Sequence, residues 1–135
     1  MAERFAPDAP CPCGAGRLDS CCGPIINGER EAATAAELMR SRYTANALGD
    51  APYLLRTWHP HSRPGRLELD PATRWLGLKL RDTEGGQPGD AEGMVEFVAR
   101  YKRGSRAHRL HERSRFSRVD GRWVYVDGKL QGRPV

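Results

Sequence analysis

No run of this 135-residue chain approaches the ~18 consecutive apolar residues of a membrane-spanning helix. Its N-terminus, Met1 to Asp8, also lacks the apolar stretch of a secretory signal, so a cytoplasmic protein without a membrane span is expected. Cysteine is missing from every position after residue 22, which excludes disulfides stapling distant parts of the chain. No phosphate loop, dinucleotide fingerprint or Ser-His-Asp pattern occurs, since the glycines at 85, 86 and 89 neither follow the required spacing nor open a helix. Histidine is scarce: His59 and His61 flank Pro60, while His108 and His111, three apart on a strand, point to opposite faces and do not make a metal pair. With 39% hydrophobic residues, the chain suits one modest core plus an appendage.

What is present begins with four cysteines, Cys11, Cys13, Cys21 and Cys22, packed into a dozen residues. Thiolates are soft ligands that suit Zn²⁺, and four of them form the closed tetrahedral shell of a structural site, with no open position for a reacting water. Cys11-Pro-Cys13 sets two sulfurs on one side of a turn, and Gly14 and Gly16 let the chain reverse toward Cys21-Cys22. Arg17 is the expected charge partner of the four thiolates. Residues 1–24 hold little apolar material beyond Phe5 and Leu18, so this segment depends on one structural zinc to fold. The string Cys-Pro-Cys-Gly-Ala-Gly through Cys-Cys-Gly-Pro resembles the SEC-C motif, a zinc-binding module known from the tail of the SecA translocase.

Beyond the short connector punctuated by Gly23-Pro24 and Asn27-Gly28, Thr34-Ala-Ala-Glu37 reads as a capping box opening a helix that Gly49 closes. Ala35, Leu38, Met39, Tyr43 and Ala47 recur on its core face, while Arg40 and Asn46 look elsewhere. Asp50 and Pro52 predict a second, short helix through Trp58, ended by His59-Pro60. The period then changes to two. Leu76, Leu78 and Leu80 alternate with Gly77, Lys79 and Arg81; Val95 to Tyr101, His108 to Val119 and Trp123 to Val126 follow, with a turn at Asp120-Gly121. Glycines and a proline mark 84–93 as a flexible loop. Helices followed by an antiparallel meander of about four strands predict an α+β domain with a curved sheet packed on the helices.

That order, together with Met39-Arg-Ser-Arg-Tyr43, Thr57-Trp-His-Pro60, Val95-Glu-Phe-Val-Ala-Arg100, Leu110-His-Glu112, Ser114-Arg-Phe116 and Gly121-Arg-Trp123, resembles the YchJ family over nearly the whole chain. The resemblance implies a SEC-C zinc segment over 1–28 followed, over 29–135, by a cone-shaped α+β domain of the nuclear transport factor 2-like (NTF2-like, cystatin-like) fold, in a family of uncharacterised biochemical role.

Two readings of function follow. Residues 100–122 carry nine Lys/Arg against Glu112 and Asp120, and Arg109, Arg113 and Arg115 share one strand face. That basic face, with the SEC-C segment, predicts a non-enzymatic zinc-binding accessory protein docking on a protein or an RNA or ribosomal partner. The second reading is an enzyme or small-molecule binder using the interior of the cone, where Glu112 lies between Leu110 and Phe116. Glu112 or Glu96 would be its acid/base, and His59, Arg63, Arg100, Trp123 and Tyr125 its other pocket candidates.

Overall fold

The computed structural model describes residues 8–131. A 3₁₀ turn over Leu18–Ser20 leads into three helices, α1 (Cys22–Ile26), α2 (Ala35–Leu48) and α3 (Ala51–Arg56). Four strands follow, β1 (Thr73–Gly85), β2 (Glu92–Arg103), β3 (Arg106–Val119) and β4 (Arg122–Leu130), in one antiparallel sheet of order β1-β2-β3-β4. This is the α+β arrangement that the change of period predicts.

Helix α2 starts where the capping box puts it. The Thr34 hydroxyl accepts from Glu37 N at 3.0 Å, and Gly49 ends the helix with φ +78°. Asp50 caps α3 by accepting from Tyr53 N at 3.1 Å. That helix stops at Arg56, earlier than expected, because the chain is pulled into the sheet: Trp58 bridges Tyr125 in parallel, with Tyr125 N donating to Thr57 O and His59 N to Tyr125 O. The connector after the cysteines is itself helical, since Pro24 lies in the first turn of α1, where its missing N–H costs nothing.

Buried residues surround α2 on nearly all sides. Leu38, Met39 and Tyr43 join the domain core, and Ser41, Arg42, Thr44 and Ala45 are buried as well. The reason is that the cysteine segment covers the side of α2 turned away from the sheet: Arg40 Nη1 donates to Cys13 O at 3.3 Å, and Cys11, Cys13 and Cys22 belong to the same cluster of buried residues as Phe97 and Phe116. Each buried polar group on α2 has a partner, as burial demands. Ser41 Oγ lies 2.6 Å from the Tyr53 hydroxyl, and Arg42 Nη1 donates to Leu54 O and Thr57 Oγ1, both at 2.7 Å.

Hairpin chemistry sets the register of the sheet. Asp120 (φ +53°) and Gly121 (φ +82°) make the two-residue turn between paired Val119 and Arg122, as a type I′ turn requires. Two bulges interrupt β1, between Trp75 and Gly77 and between Leu80 and Asp82. The first overturns the simple alternation expected there: Trp75, Leu78 and Leu80 pack on the core, while Leu76 is 55% exposed. The expected flexible loop at 84–93 is a tight connection. β1 runs through Gly85, Gly86 N donates to Glu92 O at 3.0 Å, Ala35 N donates to Gly86 O at 2.9 Å, and Arg118 binds Asp90 O and Pro88 O. A Cβ on Gly93 would lie 2.5 Å from Gly86 Cα, so these glycines serve close backbone contact rather than mobility.

Candidate metal centre, interior cluster and basic sheet face

The four cysteines converge as their spacing demands. Cys11 N donates to Gly16 O at 2.7 Å and Gly14 N to Cys11 O at 2.9 Å, closing the first turn, and Gly14 takes φ +86°. Leu18 N donates to Ala9 O and Cys21 N to Leu18 O, which returns the second cysteine pair over the first. All four Sγ atoms lie within 4.8 Å of one another. Cys13 Sγ is 3.6 Å from Cys21 Sγ and 3.7 Å from Cys22 Sγ. Sulfurs at ~2.3 Å from a central tetrahedral zinc would stand about 3.8 Å apart, so the cluster has the dimensions of a metal shell and is too wide for a disulfide.

Its electrostatics agree. Hydrogen bonds from Cys13 and Cys22 hold the Cys11 thiol far below its ordinary range, whereas burial first, then the neighbouring Cys13, pushes Cys21 up to about 12. Cys22 is raised too, chiefly by its bonds with Cys11 and Cys13. Four crowded thiols cannot all ionise unless a cation sits among them, which is what a divalent metal supplies. The expected partner Arg17 does not take part, because Asp19 holds its guanidinium at the surface. Helix α2 supplies the surroundings instead: Thr44 Oγ1 lies 3.4 Å from Cys11 Sγ, and Arg40 fixes the Cys13 carbonyl.

Inside the cone, two of the pocket candidates meet. Ser114 Oγ donates to Glu112 Oε2 at 2.7 Å and the Tyr125 hydroxyl donates to the same oxygen at 3.3 Å. Gly128, opposite Ser114, leaves room for that carboxylate; a methyl group there would overlap it. Beside them lies Arg42, whose guanidinium carbon is 4.6 Å from the Tyr125 ring centre and 5.2 Å from that of Trp58. Burial pushes the Arg42 guanidinium down to about 10, and burial followed by Glu112 raises the Tyr125 phenol. Trp58 Nε1, packed edge-on against Tyr125, is the one buried side-chain polar atom without a hydrogen-bond partner among the described residues.

The other pocket candidates lie elsewhere. Glu96 is on the outer sheet face, bonded to His111 Nε2 at 2.6 Å and Arg113 Nη1 at 2.7 Å; the inward positions of β2 belong to Val95, Phe97 and Ala99. His111 first, with Arg113, holds its carboxyl below the ordinary range. Arg100 is also outward, directly opposite Arg109. His59 Nδ1 accepts from His61 N at 3.0 Å, and Arg63 donates to Trp58 O from an exposed loop. Trp123 is buried beneath the start of α2, donating Nε1–H to Ala33 O at 3.2 Å. Sequence reasoning missed Arg42 and Trp58; their only signal was an arginine next to a tyrosine of the expected core face and a tryptophan at a helix end.

The basic face divides into two halves. Arg115 makes two bonds to Asp127, at 2.8 and 2.6 Å, and Arg113 binds Glu96 at 2.7 Å and Glu84 at 3.4 Å, so charges on neighbouring strands answer these two arginines. Toward the β2–β3 turn the pattern reverses: Arg100 faces Arg109, Arg74 faces Lys102, and Lys79 lies one row further on, opposite Val98. None of these five has an acidic partner among the described residues. Like charges directly across a strand pair are destabilising, so this end of the sheet carries repulsion that the other end has cancelled.

A four-cysteine knuckle able to hold a metal, packed on one α+β domain of three helices and a four-stranded sheet, defines a class of small knuckle-bearing NTF2-like proteins. The family model described as "YchJ, middle NTF2-like domain" matches residues 34–128. The chain belongs to the YchJ, or UPF0225, family, whose curated members include UPF0225 proteins from Streptomyces coelicolor (55% identical over 92% of this chain and 98% of that one) and Ralstonia nicotianae (55% over 93% and 94%). The solution structure of a SEC-C motif containing protein from Rhodopseudomonas palustris is similar with TM-score 0.79 and 35% identity, over 90% of this chain and 98% of that one. A crystal structure of a SEC-C motif containing protein from Psychrobacter arcticus shares the fold at TM-score 0.71 and 23% identity, over 93% and 84%. No helix among the described residues is long and apolar enough to cross a membrane.

Proposed function

We propose that this protein is a zinc-stabilised accessory module that docks on RNA through the cationic end of its outer sheet face. The observation that carries the reading is the direct pairing of Arg100 with Arg109, flanked by Arg74, Lys79 and Lys102, none of the five having an acidic partner among the described residues. A polyanion relieves such repulsion and releases its counterions on binding, so affinity falls steeply with salt. Zinc is the metal favoured by four thiolates at the observed separations.

Two measurements test this. Elemental mass spectrometry of the reduced protein should find about one zinc per chain, lost when the four cysteines are changed to serine. Fluorescence anisotropy with a labelled single-stranded RNA should give a log–log salt slope of about −3.5 if all five cations meet phosphates. Arg100→Glu with Arg109→Glu should reduce that affinity at least ~tenfold and flatten the slope, whereas Arg115→Gln, which removes an already paired charge, should leave it nearly unchanged. Affinity unaffected by the double reversal overturns the docking reading, and a metal-free reduced protein overturns the zinc assignment.

A further inference from the structure

At the other end of β3, far from the cationic rows, a half-open groove of about 440 Å³ lies between the cysteine segment, the end of α3 and the β3–β4 turn. Its volume is in the range of small-molecule sites. The floor is apolar: Ile25 from α1, Leu38 from α2 and Val124 from β4 are all buried side chains that line it. Tyr53 and Trp123 line it too, but each already carries a guanidinium on one ring face, Arg56 at 4.8 Å and Arg118 at 4.4 Å. The floor therefore offers aliphatic contact more than a stacking platform.

Four arginines stand around this floor, and they are not equivalent. Glu37 answers Arg30, and Glu31 answers Arg122, each at 3.0 Å. Arg56 and Arg63 are held by carbonyl oxygens alone. Arg56 Nη2 donates to Ile26 O at 2.7 Å, and Arg63 donates Nε and Nη2 to Trp58 O at 3.1 and 3.0 Å. A carbonyl orients a guanidinium without cancelling its charge. Both side chains are thus pinned, cationic, and left with N–H groups that bond nothing among the described residues. Asp120 is the remaining acid on the rim, exposed at the turn.

We infer that this groove is a binding site for a small organic anion with an aliphatic body, its head group held by Arg56 and Arg63 and its body lying on Ile25, Leu38 and Val124. Pinned guanidinium forks suit the planar or tetrahedral oxygens of a carboxylate or a phosphate monoester, and the apolar floor adds affinity for the attached chain. The cysteine segment is part of the site, because Ile25 and Gly28 line it and the Ile26 carbonyl orients Arg56. In this respect the site rests on the zinc reading, since α1 begins at Cys22, and it is independent of RNA docking at the opposite end of β3.

Titration of the metal-loaded, ¹⁵N-labelled full chain with hexyl phosphate, hexanoate and 1-hexanol tests the site, read by the Trp123 indole N–H and the Ile25 and Gly28 amides. Saturable shifts at these positions with one or both anions, at least ~tenfold tighter than with the alcohol, are expected, because charge-assisted bonds should dominate the head group. Tighter hexyl phosphate marks a phosphate monoester site, and tighter hexanoate a carboxylate site. Arg63→Gln, on an exposed loop and no part of the core, should weaken the tighter anion about tenfold, while Arg109→Glu should not. Absence of saturation by about 10 mM, equal binding of the alcohol, or indifference to Arg63→Gln overturns the inference.

Discussion

Adding a high-affinity chelator to metal-loaded, reduced protein should destabilise the entire chain and not only the first two dozen residues. Leu18, Ile25 and Ile26 are buried where the knuckle and α1 meet α2, at 9%, 7% and 7% exposure. Each contributes ~1.5–3 kcal/mol by burial, so losing the knuckle removes about 6 kcal/mol, against a total of ~5–15 kcal/mol for an ordinary domain. With a urea dependence of ~2 kcal/mol per M, the unfolding midpoint should fall by about 3 M. All three tryptophans, Trp58, Trp75 and Trp123, lie outside the cysteine segment, so their fluorescence reports the cone and is blind to local fraying of the knuckle. A tryptophan-monitored midpoint that moves by less than ~0.5 M on chelation would refute the reasoning, because it would mean that α2 does not need its outer cover.

Gly93→Ala should cost about 2–3 kcal/mol in urea denaturation, since the new methyl would meet Gly86 backbone at 2.5 and 2.7 Å and the Ala35 side chain at 3.2 Å. Gly89→Ala, in open space nearby, should be close to neutral. The carboxyls of Glu96 and Asp127 are both held below their ordinary values, by His111 and by Arg115 respectively, so the folded state binds their protons less readily than the unfolded chain. The stability they add is complete above about pH 4.5 and is lost as pH falls through their folded values. Glu96→Gln with Asp127→Asn should therefore flatten the decline of the urea midpoint between about pH 4.5 and pH 3, and an unchanged decline would contradict the pairing.

Features legible in the sequence were those written in neighbouring residues. The four cysteines, the capping box at Thr34, the Asp50 cap and the Asp120-Gly121 turn each carry their geometry within a few positions. The alternation in β3 correctly separated Glu112 and Phe116 from Arg109, Arg113 and Arg115. What escaped depends on contacts distant in the chain. Arg42 carried no signal of burial, because nothing local says that Trp58 and Tyr125 close over it. Val95-Glu-Phe-Val is apolar on both parities, so it could not say which way Glu96 faces; Val98 is buried to 7% on the outer side, and Glu96 shares that side with it. Glycines at 85, 86, 89 and 93 read as flexible by composition, yet composition cannot distinguish a hinge from a contact that only glycine fits.

The two bulges of β1 bear on how much of an open sheet's edge is free to pair. Strand β4 is sealed over part of its free edge by the Thr57–His59 backbone and by Ser62 Oγ, which donates to Val126 O at 2.6 Å. Strand β1 has no such cover in the pairing pattern, and thirteen residues of bare N–H and C=O groups would be a ready template for a second chain. Breaks after Trp75 and after Leu80 chop that template into short lengths out of phase with one another, and Arg74, Lys79, Arg81, Asp82 and Glu84 place charged side chains along it. The bulge that turns Leu76 outward is thus one of two places where the chain interrupts its own free edge.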